Sequence, residues 1–281
     1  MTGTGESDQG ALEALRGRID AIDAAMHGLL IERGSVIAEL IDAKGASGPG
    51  GAFRPAREAE MMRRLVARHE GALPLATVEH IWREIITTFT RMQAAFDVAV
   101  DVSIEPERMH DLARFTFGFS VALNACADAE AVVARVVEGG DIGLIARKAA
   151  GPWWRGLVGR QAPRIMALLP FIDMDARPAD LPAFVISPPL ADPTPPDIAA
   201  FAVTVDGPFK RMESSEILAI AAAGEATEAL VATSLDQAAL ARDLKAAGID
   251  ARAITPVGGF ARGIAVEGGA TMLYAAAETM R

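Results

Sequence analysis

The sequence predicts an all-α three-helix domain followed by an α/β domain, and three observations predict it. Apolar residues recur at alternating steps of three and four from Leu12 to Leu40, two shorter stretches of the same periodicity follow before residue 97, and beyond Val98 short apolar runs alternate with amphipathic segments. A period near 3.6 is the signature of helices that bury one stripe, and short bounded apolar runs are that of strands in a sheet. The chain has 281 residues, 51% of them apolar and 23% charged, enough for two ordinary cores. The expected organisation is a polar, glycine-rich, disordered tail at 1–10, a helical domain at 11–97 and an α/β domain at 98–281.

The first helix is expected from Ala11 to Lys44, roughly 50 Å of α-helix. Its seam runs through Leu12, Leu15, Ile19, Ile22, Met26 and Leu29 and resumes at Val36 and Leu40, with Arg33 standing in the gap. A helix of that length needs partners along it. "GASGPGG" (45–51) then breaks the pattern and reads as a flexible loop. The second helix should start near Pro55, a residue suited to a first turn, carry Met61, Met62, Leu65 and Val66 on one face, and end near Gly71. The third should begin around Pro74, with Leu75, Val78, Trp82, Ile85, Phe89, Met92 and Phe96 on its seam.

In the α/β part, "FDVAVDVS", "SVALNAC", "DIGLIA", "RIMALLPFI", "PAFVIS", "AAFAVTVDG", "EALVATS" and "DARAITPV" are the candidate strands. The clearest helices are 127–138 and 235–247, each followed by a glycine able to cap it. "SPPLADPTPPD" (187–197) holds five of the sixteen prolines and should be an extended connection.

The formal net charge of −10 and pI near 5.0 argue against nucleic acid and against anionic membrane as partners. The single cysteine, Cys126, allows neither an intrachain disulfide nor a multi-cysteine metal site, which fits a reducing cytoplasm, and it lies in an apolar run where burial would make it inert. No basic leader and no apolar run of membrane length is visible. His27, His69, His80 and His110 lack metal-ligand spacing, and neither "VGGFARG" nor "EGGDIG" is a dinucleotide fingerprint, so no metal or cofactor is expected. "GPWWRG" reads as a short core helix.

The chemistry is expected in the cations of the helical third. An acidic protein that keeps cations on apolar faces incurs a desolvation cost that an anion must offset. Arg33 stands on the seam, and Lys44 lies eleven residues on, almost three turns, so it projects from the same side. Arg57 and Glu58 open the second helix, where the acid suits the dipole and the arginine does not. Gln93 sits beside the stripe of the third. Together they would form a cationic pocket with one acid and one amide inside a helical bundle. The competing account is an internal salt-bridge set, Arg33 with Glu58 for instance. A lone seam arginine favours that account, and the joint pattern favours a bound anion.

Residues 11–97 resemble the all-helical chorismate mutases. The resemblance rests on "LEALRGRIDAID" followed by "LLIER", "AK" eleven residues after that arginine, "RPAREAEM", and "IWREII" with a glutamine seven residues beyond. It implies an intertwined homodimer whose long first helices pair, and a cofactor-free rearrangement of chorismate to prephenate. It further implies that Arg16 enters the partner subunit's pocket and binds the enolpyruvyl carboxylate with Lys44. Arg33 and Arg57 belong to the substrate-binding set, Arg33 on the ring carboxylate. Lys44 and Gln93 donate to the ether oxygen, and Glu58 accepts from the ring hydroxyl. Two positions depart from the family pattern: Arg54 replaces a frequent aspartate and Phe89 a small hydroxyl residue.

The segment "AEAVVARVVEGGDIGLIA" is similar to prephenate dehydratases, whose fold is two-lobed and periplasmic-binding-protein-like. Pro182, Ala183 and Phe184 stand where that family has Thr-Arg-Phe, and no Glu-Ser-Arg-Pro signature is present. Three functions are therefore open. The first is a chorismate mutase whose C-terminal domain lacks dehydratase chemistry and can hold a small-molecule ligand. The second is a bifunctional mutase and dehydratase, and the third a ligand-sensing protein dimerised by an inactive mutase bundle.

Overall fold

The long seam folds as one helix, α1 (Thr4–Lys44), in a computed structural model that describes residues 4–44, 53–139, 141–175, 177–190 and 194–266. The helix already runs through 4–10, the stretch expected as a disordered tail. Adding turns to an existing helix costs far less than nucleating one, so polar residues suffice there. Residues 1–3, the glycine loop 45–51 and the side chain of Lys44 lie outside the described residues. The seam residues Leu12, Leu15, Ile19, Ile22, Met26 and Leu29 are between 51% and 65% exposed. Among the described residues nothing buries this stripe.

The chain divides into two compact units, Met1–Ser47 and Gly48–Arg281. The second and third helices thus belong with the α/β part. Helix α2 (Pro55–Arg68) starts at its proline and buries Met62 and Leu65. It ends three residues before Gly71. Helix α3 (Leu75–Gln93) follows Pro74 as its N-cap.

Helix α3 departs from the expected seam. Its buried side chains are Leu75, Ala76, Glu79, Arg83, Ile86, Thr87 and Thr90, whereas Val78, Trp82, Ile85 and Phe89 are half-buried and Met92 is exposed. The buried face is rotated by roughly a third of a turn from the apolar stripe. Ion pairs and hydrogen bonds account for this: Glu79 and Arg83 have charged partners, and the Thr87 hydroxyl donates to Thr116 O at 3.4 Å. A polar face can be buried when its groups are satisfied.

From Asp97 the chain alternates strands and helices. Strands β1 (Asp97–Asp101), β2 (Leu123–Cys126) and β3 (Asp141–Ala146) are parallel in the order β2-β1-β3, linked through helices α4 (Pro106–Phe117) and α5 (Ala129–Glu138). The remaining strands are β4 (Arg164–Leu169), β5 (Ile172–Met174), β6 (Ala183–Ser187), β7 (Ile198–Asp206), β8 (Ser215–Ala223), β9 (Ala226–Thr233), β10 (Ala251–Phe260) and β11 (Ile264–Val266). A helix α6 (Gln237–Ala246) precedes β10. Nine strands form one mixed sheet, β2-β1-β3-β6-β4-β10-β7-β9-β8, and β5 pairs with β11 separately. A two-lobed arrangement is not shown by this order.

Asp128 and Asp236 cap α5 and α6 by accepting from the amides of Ala131 and Ala239. Trp153 and Trp154, in a short 3₁₀ turn at Trp153–Leu157, are almost wholly buried, as a core helix requires. Strand β8 ("SEILAIAAA") was not among the expected strands. It is an alanine-rich edge strand with few β-branched residues, and pairing with β9 decides its conformation.

The junction of β4 and β10 depends on Gly258. Its φ is +123°, and a Cβ there would stand 2.1 Å from Ile165 O. Gly258→Ala is expected to destabilise the protein by at least about 3 kcal/mol, measured by urea unfolding, since both the backbone conformation and the strand contact would have to give. A loss below about 1 kcal/mol would mean that the two strands can part without consequence.

Candidate active site

The expected site residues fall on three helices. On α1, Arg16 is exposed and Arg33 half-buried. On α2, Pro55 takes the first helical position, and Glu58 lies in the first turn, where the helix dipole favours an acid. Arg57 points to solvent while Glu58 turns inward. On α3, Gln93 is the last residue, and its Nε2 donates to Phe89 O at 3.0 Å. Among the described residues, no hydrogen bond or ion pair joins Arg57, Glu58 and Gln93 to one another.

Glu58 is instead the end of a chain of alternating charges. Its Oε2 is 3.4 Å from Arg83 Nη1, and Arg83 Nε is 4.0 Å from Glu79 Oε1. Arg177, in the segment after β5, grips Glu79 with both terminal nitrogens, Nη2 donating to Oε1 at 3.0 Å and Nη1 to Oε2. The Arg177 Nη1 also donates to Ile172 O at 2.9 Å, and the guanidinium lies 4.7 Å from the centre of the Phe115 ring. Stacking on an aromatic face and a two-pronged grip on a carboxylate are what a guanidinium can supply and an ammonium cannot.

Burial dominates the electrostatics of Glu58. It pushes the carboxyl above the usual glutamate range, and the nearby Arg83 cation pulls it partly back. A cavity of about 60 Å³ lies against this pair, with Phe53, Thr116, Phe117 and Met166 among its walls.

Arg83, Glu79 and Arg177 were not among the expected site residues. Glu79 and Arg83 are four apart on one helix, a spacing that pairs opposite charges and could have marked them. Arg177 lies 98 residues from Glu79 and carries no local signal.

A second cavity, about 540 Å³, lies between α2 and the sheet. Ile165, Met166, Leu190 and Phe260 give it an apolar lining. At its side, Arg63 Nη2 donates to Asp197 Oδ2 at 2.6 Å, and Asp197 also accepts from the Arg262 amide at 2.9 Å. These two contacts hold the Asp197 carboxyl below its usual range.

Cys126 is buried, and burial pushes its thiol up, which disfavours the reactive thiolate. Among the described residues no group of histidine, cysteine and acidic side chains could hold a metal, and no helix is long and apolar enough to cross a membrane.

No curated protein and no solved structure matches the chain. The family model for chorismate mutase type II matches residues 15–94, from the second turn of the exposed seam to the end of α3. That segment is a chorismate mutase type II domain, an isomerase domain, set in a longer chain.

Proposed function

We propose that the protein rearranges chorismate to prephenate, a step of aromatic amino-acid biosynthesis, as a homodimer. One observation carries the reading: the matched segment 15–94 contains Arg16, Arg33, Lys44, Arg57, Glu58 and Gln93 in their expected order and spacing. The reaction is a unimolecular rearrangement of a flexible dianion, so the protein has to fold the substrate and stabilise charge that develops on the ether oxygen. Arg33, Arg57 and the partner subunit's Arg16 suit the carboxylates. Lys44 and Gln93 donate to the ether oxygen, each worth about 3 to 4 kcal/mol in a water-excluded site. Glu58, as a carboxylate, accepts from the ring hydroxyl. The exposed seam of α1 supports a second copy as its partner, because a 41-residue helix with an apolar stripe left exposed gains stability when that stripe is covered.

For the α/β part we infer a small-molecule site in the 540 Å³ cavity, whose size and apolar lining suit one. Dehydratase chemistry is not supported there, since Ala183 and Phe184 are fully buried apolar side chains of β6. The single cysteine and the acidic surface are compatible with a cytoplasmic protein.

Incubating the purified chain with chorismate and resolving chorismate, prephenate and phenylpyruvate by chromatography tests the reading. Prephenate should accumulate. Phenylpyruvate would establish the bifunctional alternative, and unchanged chorismate would leave only the ligand-sensing one.

A further inference from the structure

We propose that Arg83 is a positioning residue for Glu58, locked in place by Glu79 and by Arg177 of the α/β part, so that the C-terminal half of the chain sets the geometry of the mutase site. The assignment rests on the mutase reading above and deepens it.

Buried ion pairs are seldom retained for stability, because desolvating the charges costs about as much as pairing them returns. Four charged side chains in a row therefore call for another reason, and their exposure supplies a direction. The side chains of Glu79 and Arg177 are 2% and 3% exposed, Arg83 is 9% exposed, and Glu58 is 24% exposed. The chain runs from a locked anchor to Glu58, the most exposed of the four.

Arg177 occupies both oxygens of Glu79 and leaves Arg83 only the 4.0 Å contact there, so the Arg83 guanidinium remains available to Glu58. Arg83 in turn decides what Glu58 can do. Among the described residues the charged groups around Glu58 are Arg83 and, behind it, Glu79 of α3 and Arg177; Arg57, next to it on α2, points to solvent, and Arg54, one turn before it, donates to Phe53 O at 2.9 Å. From α4 and β4 the facing side chains Thr116, Phe117 and Met166 carry no charge. With Arg83 removed, Glu58 would lose the cation that offsets its burial, would take up a proton more readily and would lose its fixed direction. An acceptor displaced by about 1 Å can cost a hundredfold in rate.

The test uses the full chain, with kcat and KM for chorismate measured across pH for the wild type, Arg83→Met, Arg83→Lys and the double variant Glu79→Gln with Arg177→Met. Arg83→Met should retain its circular dichroism and lose about ten- to a hundredfold in kcat. The acid limb of its pH profile should move to higher pH. Arg83→Lys should restore part of the rate and return the limb towards the wild-type position, a response that mere loss of packing would not give. The double variant removes two opposite charges together, strands neither, and should lower kcat about tenfold. If Arg83→Met does not fold, the double variant decides. A folded Arg83→Met with wild-type kcat and an unmoved acid limb, or a folded double variant with wild-type kcat, overturns the assignment while leaving the mutase reading intact. A wild type that leaves chorismate unchanged brings down both.

Discussion

Glu58→Gln is expected to lose about two orders of magnitude in kcat for chorismate, yet to unfold at or above the wild-type temperature at pH 8. The two halves have one cause. The Glu58 carboxyl is raised by burial, which the Arg83 cation offsets only in part. A group whose folded pKa lies above its unfolded value binds its proton more tightly in the native state. Its contribution to stability is therefore present below the unfolded value and lost as pH rises through the folded one. At pH 8 the wild type carries that loss, and glutamine, neutral throughout, does not. The melting temperatures of the two proteins should converge in acid, where Glu58 is protonated, and separate in favour of the variant as pH rises. Arg83 keeps Glu79 at 4.0 Å in the variant, so it is not left without a counter-charge. The activity falls because an amide can present its donor where the ring hydroxyl needs an acceptor. A variant that melts earlier at pH 8 but keeps its rate would identify Glu58 as a structural partner of Arg83 and remove it from the site.

The place of Glu58 at the end of the network through Arg83, Glu79 and Arg177 indicates how the two halves of unit Gly48–Arg281 depend on each other. Helix α3 places its polar face inward because Arg177 and Glu58 offer it partners, and its apolar stripe is left half-buried as a consequence. A structural helix bundle would bury the apolar stripe and expose the charges. The observed choice turns the acid of α2 and the polar face of α3 into one charged network anchored in the α/β part.

That choice also explains which features the sequence discloses. Pro55 and Pro74 mark the starts of α2 and α3 because a proline fits a first turn and little else in a helix. Val98–Val100, Ile142–Ile145 and Phe184–Ile186 are legible as strands because β-branched and aromatic runs suit a buried sheet. Strand β8 is not legible, since its alanines favour helix and only pairing with its neighbour β9 makes it a strand. The buried face of α3 escapes for a different reason. Periodicity reports where apolar residues recur, whereas the face is decided by Arg177, brought to Glu79 by the chain's path through the sheet. Among the candidate site residues, Glu58 and Gln93 are marked by spacing; the four-residue spacing of Glu79 and Arg83 marks an ion pair, and only the fold sets Arg83 beside Glu58.

Mixing two inactive variants, Arg16→Ala and Arg33→Ala, is expected to restore about a quarter of wild-type mutase activity once subunits have exchanged. Each alone should lose about a hundredfold or more, because each removes a cation from a carboxylate of the substrate. The recovery follows from where the two residues stand. Arg16 is exposed on α1 beside a stripe whose six leading apolar residues are all more than half exposed, so a second copy laid along that stripe would carry its own Arg16 to its neighbour. In a mixed dimer one site would lack both arginines and the other would have both. Random exchange makes about half of the dimers mixed, and half of their sites are complete. Activity that stays at the level of the separate variants, in dimers shown by mass spectrometry to have exchanged, would place Arg16 and Arg33 in the same subunit's site. A chain that sediments as a monomer at micromolar concentration would remove the shared site altogether, and the exposed seam of α1 would then need a different occupant.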